Sequence, residues 1–310
     1  MSYYVNVLTT AALGLIFNPL LVLALGANAF GIFKAVQKYL DFASVADGRA
    51  SQALKWTVAH KMGRVPDQEL RRDAGASLAV WAIALPILAV IIAAFVAVMP
   101  LLIADLDEAQ LAIAQTVAVV LGGNIALMGL IGLPDAILLG SNLGSKSVNV
   151  STGVLIVTNV GMLAAAIGGL GIVGVAVVVV AGAIANGLIT AWVAKRSVGW
   201  FGVARPDWRE IGSMAGFSGW MLGWELTQKL MLASELLLIS MLVGAAGVTD
   251  YTFTAYVAQF ALAFCLLTTG ACTPQLGKAL GLGELLVGHV DRLALDPRRF
   301  IFGVKQPHEY

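Results

Sequence analysis

Long runs of apolar residues constrain this 310-residue chain more than any other feature of its sequence. A helix needs about 20 mostly apolar residues to cross a membrane, and eight stretches meet that requirement. They cover residues 5–25, 29–54, 76–103, 111–139, 148–169, 171–194, 213–243 and 249–271. The runs are longer than barrel strands and lack a two-residue alternation. The sequence therefore predicts an all-α, polytopic membrane helix bundle with about eight transmembrane helices.

Composition excludes most other classes of protein. Hydrophobic residues make up 59% of the chain and charged residues 12%, against about 45–50% and about 25% in soluble domains. The net charge of +1 provides no basic surface for nucleic acid. The sequence has no metal-ligand spacing, P-loop, dinucleotide fingerprint or nucleophile elbow. We therefore expect a protein that is not an enzyme, with no catalytic residue, no metal, no cofactor and no nucleic-acid partner.

Outside the predicted spans, Lys and Arg occur only in the connections on one side of the membrane. They follow spans two, four, six and eight, whereas the connections after the odd-numbered spans contain none. Because Lys and Arg mark cytoplasmic loops, both termini are expected in the cytoplasm of a cell whose plasma (inner) membrane holds the chain. The predicted organisation is a six-helix lobe (1–196), a cytoplasmic linker (197–212), two further helices (213–272) and a polar cytoplasmic tail (273–310).

Ionisable side chains interrupt predicted spans two and seven. A charge at the bilayer centre costs about 2.5–3.5 kcal/mol, so such groups are paired, interfacial or turned toward water. At 100° per residue, most of the polar residues of each span share one face, from which Asp47 points away. The candidate substrate-cavity residues on these faces are Lys34, Lys38, Asp41, Arg49, Gln52, Glu225, Gln228, Lys229 and Glu235.

Two interpretations of these polar faces stay open. They line a hydrophilic cavity, or they form a buried structural ion-pair network with some charges reaching out from the span ends. The spacing of Lys38 with Asp41, and of Glu225 with Lys229, allows an ion pair within each helix. Asp135, near the cytoplasmic end of span four, is treated as interfacial and left out of the site.

A weak internal repeat relates the beginnings of predicted spans two and eight. Residues 23–33 align with residues 241–251, and predicted spans one and seven have the same orientation. Parallel repeats of this kind occur in transporters with two lobes of six helices, although chance similarity between Gly- and Ala-rich segments is the alternative. Because no long apolar run follows Cys272, the repeat predicts an incomplete second lobe.

Five short stretches carry a family resemblance by their order and spacing. They are Leu25-Gly26 with Phe30-Gly31-Ile32-Phe33 and Asp47-Gly48; Leu133-Pro134 through Leu139-Gly140; Gly168 to Gly174; Arg205-Pro206-Asp207-Trp208-Arg209 with Phe217-Ser218; and Gly247-Val248 with Tyr251. Over about residues 5–280, they resemble the polysaccharide (lipid-linked oligosaccharide, O-antigen type) flippases. That family belongs to the multidrug/oligosaccharidyl-lipid/polysaccharide exporter superfamily.

The resemblance implies a flippase with two six-helix lobes around a central cavity. Such a protein would move an undecaprenyl-diphosphate-linked oligosaccharide to the outer leaflet by alternating access, for surface polysaccharide biosynthesis. Lys34, Lys38 and Arg49 would attract the diphosphate, because point charges bind phosphate. Asp41, Glu225 or Glu235 would couple transport to H⁺ or Na⁺. Membrane lipids and a polysaccharide polymerase complex are the other expected partners.

Two alternatives to the flippase stay open. One is a cation-coupled multidrug exporter of the same superfamily, and the other is a non-transporting membrane partner of a polysaccharide assembly complex. On the span-two face, Lys34, Lys38 and Arg49 outnumber the acid Asp41, which favours an anionic substrate. A cationic drug would favour an acidic cavity.

Overall fold

The computed structural model describes residues 2–103 and 106–255, together with residues 258 and 261. These residues form helices and no strand. The helices are α1 (Ser2–Leu25), α2 (Ala27–Ala43), α3 (Ala50–Lys61), α4 (Asp67–Leu102), α5 (Glu108–Gly140), α6 (Gly144–Ile167), α7 (Gly171–Ser197), α8 (Trp208–Leu242) and α9, which covers 245–255. The predicted all-α helix bundle is confirmed.

Five of these helices are long and apolar enough to cross a membrane: α1, α4, α5, α6 and α7. Large apolar side chains on them point outward, including Leu23, Val90, Val157 and Leu188. Apolar patches of this extent do not occur on soluble monomers, whereas hydrocarbon tails solvate them without penalty. The chain is therefore a multi-pass membrane protein.

The prediction of one continuous helix over residues 29–54 is wrong. Helix α2 ends at Ala43, a 3₁₀ turn follows over Ser44–Asp47, and α3 begins at Ala50. Between them, Gly48 and Arg49 have positive φ angles of 78° and 46°. Glycine adopts this conformation without strain, but arginine rarely does. The Asp47 carboxylate holds the turn by accepting a hydrogen bond of 2.8 Å from the Arg49 backbone N–H.

Predicted span seven lies within α8, which begins earlier than expected. Asp207 caps the helix in a reciprocal arrangement, since the Glu210 carboxylate accepts a hydrogen bond of 2.7 Å from the Asp207 backbone N–H. Predicted span eight is helical over 249–255; apart from residues 258 and 261, its remainder and the predicted tail lie outside the described residues. The predicted domain boundaries stay predictions.

The apolar core consists of two clusters with a polar zone between them. One cluster includes Phe30, Phe33 and the first half of α5, and the other includes Leu54, Leu70 and the last turns of α5. The α2–α3 break and the middle of α5 lie between these clusters along the chain. This zone belongs to neither apolar cluster, and its polar side chains form the site described below.

Helix α5 packs closely against α4 at Gly129. A Cβ atom at this position would lie 2.0 Å from Cδ1 of Trp81. The Trp81 ring is held in place because its Nε1–H donates a 2.9 Å hydrogen bond to the Ala126 carbonyl oxygen. Glycine therefore permits this contact, as small residues do between membrane helices.

We predict that Gly129→Ala destabilises the protein by about 1–3 kcal/mol, the usual effect of overpacking. Gly123→Ala in the same helix is the matched control, because no atom would lie within 4 Å of its Cβ. The control should be neutral or gain up to about 1 kcal/mol from helix propensity. Thermal unfolding of the full chain in detergent measures both, and equal melting temperatures would contradict the packing argument.

Candidate functional site

An ion pair links the helix break to α8. Nη2 of Arg49 donates a hydrogen bond of 2.8 Å to Oε1 of Glu225, although the two residues lie 176 positions apart in sequence. The Arg49 side chain is 17% exposed, so both charges are partly withdrawn from solvent. Charge-assisted hydrogen bonds of this length are among the stronger polar contacts in proteins.

Lys229, one turn after Glu225 on α8, contacts the other side of the break. Its Nζ donates a hydrogen bond of 2.7 Å to Oγ of Ser44, and another to the backbone carbonyl of Asp41. That carbonyl lies in the last turn of α2, where helix carbonyls lack partners within the helix. Helix α8 therefore binds α2 through Lys229 and the start of α3 through Glu225.

Both predicted pairs within helices are confirmed. Lys38 Nζ lies 3.5 Å from Oδ2 of Asp41, and Lys229 Nζ lies 3.7 Å from Oε1 of Glu225. We call the connected residues of the break and α8 the charged junction. They are Lys38, Asp41, Asp47, Arg49, Glu225 and Lys229.

The expectation that Asp47 points away from the polar face is wrong. Its Oδ1 lies 3.8 Å from Nε of Arg49 and accepts the Arg49 backbone hydrogen bond. The break causes this difference, because counting 100° per residue assumes an uninterrupted helix. The charged junction thus has three cations and three anions and is formally neutral. With Asp47 included, the span-two cations Lys34, Lys38 and Arg49 outnumber the acids Asp41 and Asp47 by one charge.

A cavity of about 350 Å³ adjoins the charged junction between α3 and α5. Asp41, Asp47 and Arg49 of the junction contribute to its wall, and so does Gln52. Among the residues that α5 contributes, Asn124 and Asp135 are polar. The cavity therefore presents hydroxyl, amide and carboxylate groups within an otherwise apolar bundle.

Sequence reasoning did not select the two polar wall residues that belong to α5. Asn124 is buried, and its Oδ1 has no hydrogen-bond partner among the described residues. Asp135, set aside as interfacial, faces the cavity and accepts a hydrogen bond from the Ser147 hydroxyl. Each is an isolated polar residue in the apolar helix α5, which is the signal that identifies it.

Three predicted site residues lie outside this set of contacts. Lys34 places its Nζ 5.4 Å from the centre of the Phe30 ring, within range of a cation–π interaction. Glu235 accepts a hydrogen bond from the Tyr251 hydroxyl of α9, and Gln228 is exposed on α8. Their roles in binding, like those of Lys38, Asp41 and the other selected residues, stay predictions.

Comparison with known proteins supports the fold. No protein-family model matches the chain, and none of the curated proteins matches its sequence. A solved structure described as the inward-facing conformation of a multidrug resistance MATE family transporter of the MOP superfamily is similar, with a TM-score of 0.64 and 18% sequence identity. The match covers 89% of this chain and 63% of that transporter, so the chain spans less than two thirds of its length. The chain therefore has a helix-bundle fold similar to that of this transporter.

We predict that Arg49 and Glu225 are energetically coupled. Arg49→Ala and Glu225→Ala should each destabilise the protein by about 1–3 kcal/mol, because each leaves a partly buried charge without its partner. The double variant should lose less than the sum, by about 1 kcal/mol or more. Chemical denaturation of the full chain in detergent measures all three.

The control is Arg205→Ala, since Arg205 is exposed and forms no salt bridge among the described residues. Its effect should stay within about 0.5 kcal/mol. Strict additivity of the two site substitutions would show that the contact is energetically irrelevant.

Proposed function

We propose that the chain forms the substrate-contacting part of a membrane exporter that operates by alternating access. The observation that carries this proposal is the charged junction beside a polar cavity inside an apolar bundle. Ionisable residues within membrane helices are expensive, and they commonly mark pathways for substrates or ions.

The arrangement of the contacts suits a moving part. Helix α8 binds the α2–α3 break through a few ion pairs and hydrogen bonds, which water can replace when they open. Opening the Arg49–Glu225 pair would free the Arg49 guanidinium beside the adjoining cavity, whose wall includes Arg49. The break also brings together the end of α2 and the start of α3. In hinged proteins, residues at such helix ends take up the change in backbone angles.

The first proposed substrate is an undecaprenyl-diphosphate-linked oligosaccharide moved across the plasma membrane. Two observations support it besides the motif order: the cavity wall offers Ser44, Gln52 and Asn124, whose groups hydrogen-bond sugar hydroxyls, and Lys34 forms no ion pair among the described residues. Coupling to H⁺ or Na⁺ through Asp41, Glu225 or Glu235 and delivery to a polysaccharide polymerase complex belong to this proposal.

The second proposed substrate class is a cationic drug. The charged junction is formally neutral, and in the cavity wall three aspartates, Asp41, Asp47 and Asp135, outnumber the two cations, Arg49 and Lys55. Such a wall attracts cations better than the span-two face alone suggested. The structurally similar protein is a multidrug resistance transporter, which agrees with this alternative.

Deleting the gene in its host separates the two proposals. A flippase predicts accumulation of lipid-linked sugar on the cytoplasmic side, restored by the wild-type gene and by Arg205→Ala but not by Arg49→Ala or Lys38→Ala. A drug exporter predicts greater sensitivity to cationic drugs with normal polymer export. Arg49→Ala and Lys38→Ala each remove a charge from the junction, whereas the control Arg205→Ala removes one outside it. An immunoblot checks that all variants are expressed at the same level. Normal polymer export together with unchanged drug sensitivity would overturn the exporter proposal.

A further inference from the structure

A second cavity, of about 570 Å³, lies between α3, α4 and α8. It shares no lining residue with the cavity beside the charged junction. Its wall combines polar side chains, among them His60 and Arg209, with apolar ones, among them Trp56 and Phe217. A wall that is charged in one part and aromatic in another matches an amphiphilic ligand.

The acids of this second cavity are already compensated. Lys61 Nζ lies 3.0 Å from Oδ2 of Asp73 and donates a 2.8 Å hydrogen bond to Glu69. Burial disfavours the charged form of Lys61, but these hydrogen bonds and the nearby carboxylates outweigh it and raise the pKa of its ammonium group. Glu210 lies 3.8 Å from Nη1 of Arg72 and caps α8 with its other oxygen.

Arg209 is a cation of the wall that has no such compensation. His60 and Arg209 are exposed, and neither forms a salt bridge among the described residues. The hydroxyl of Ser213, one turn after Arg209 on α8, adds a hydrogen-bond donor to the same wall. Arg209 therefore leaves one positive charge for a ligand, and the His60 and Ser213 side chains add hydrogen-bond donors beside it, which favours an anion.

The apolar part of the wall points to a lipid. Trp56 and Phe217 are exposed at this cavity, and Trp208, the first residue of α8, is 82% exposed. Tryptophan is enriched where membrane helices meet the headgroup layer. The distribution of Lys and Arg places this end of the bundle on the predicted cytoplasmic side, where the leaflet is rich in anionic lipids.

We propose that this second cavity binds an anionic phospholipid of the cytoplasmic leaflet. The side chains of His60 and Arg209 contact the phosphate, and the upper acyl chains lie against Trp56 and Phe217. Basic pockets between membrane helices on the cytoplasmic side are suited to such headgroups. The site is independent of the exported substrate, and a lipid bound there would bridge α3 and α8 outside the charged junction.

Native mass spectrometry of the full chain in detergent tests this proposal. The probes are phosphatidylglycerol and phosphatidylcholine with identical acyl chains, each titrated against the wild type. Phosphatidylglycerol should bind more tightly, and Arg209→Ala should weaken it about fivefold. His60→Ala combined with Arg209→Ala should weaken it further. Arg209→Lys should retain most of the binding, because it keeps the charge.

The matched control is again Arg205→Ala, an exposed arginine four residues before Arg209 that does not line this cavity. It should change phosphatidylglycerol binding by less than about twofold. Equal losses of phosphatidylglycerol binding in Arg205→Ala and Arg209→Ala would show that binding depends on general surface charge, and this result would overturn the site. Equal binding of the two lipids, or displacement of phosphatidylglycerol by millimolar inorganic phosphate, would overturn a lipid as its occupant.

Discussion

The charged junction depends on one constraint: a charge within a membrane bundle needs either an opposite charge or water. The Arg49 guanidinium meets this need twice, through Asp47 in its own turn, 3.8 Å from Nε, and through Glu225 of α8. Lys229 pairs with Glu225 and also binds the carbonyl end of α2. Without these partners, the break between α2 and α3 would expose charges and unpaired backbone groups to an apolar surrounding. The same contacts that stabilise the break therefore fix the position of α8 beside the cavity.

This balance of charge bears on the substrate. The partners of Arg49 neutralise it in the described conformation, so its charge becomes available to an anion only when the pair with Glu225 opens. Binding a diphosphate and releasing α8 would then be linked events, as a substrate-driven conformational change requires. A cationic drug would instead compete for Asp47 and Glu225. An anionic substrate would thus bind the cation of this ion pair, Arg49, and a cationic drug would bind its anion, Glu225.

The sequence predicted the parts of this structure that depend on local spacing. Long apolar runs determine the helix bundle, and the i,i+3 and i,i+4 spacings predicted the Lys38–Asp41 and Glu225–Lys229 pairs. The break at Gly48 was not predicted, because the polar residues on either side of it fit one continuous helical face. The contact between Arg49 and Glu225 depends on how distant helices pack, which spacing along the chain does not determine. Asp47 was assigned to the wrong face because that assignment assumed a continuous helix through the break.

Accessibility to a water-soluble thiol reagent tests most directly whether the site beside the charged junction is aqueous. After Cys265 and Cys272 are replaced by alanine, a single cysteine is introduced by Gln52→Cys in the cavity wall or by Val90→Cys on the outward apolar face of α4. A charged methanethiosulfonate reagent applied to membranes should modify the cysteine at position 52 rapidly and leave that at position 90 unreacted. Protection of position 52 to the same degree as position 90 would contradict a water-filled cavity and the exporter built on it.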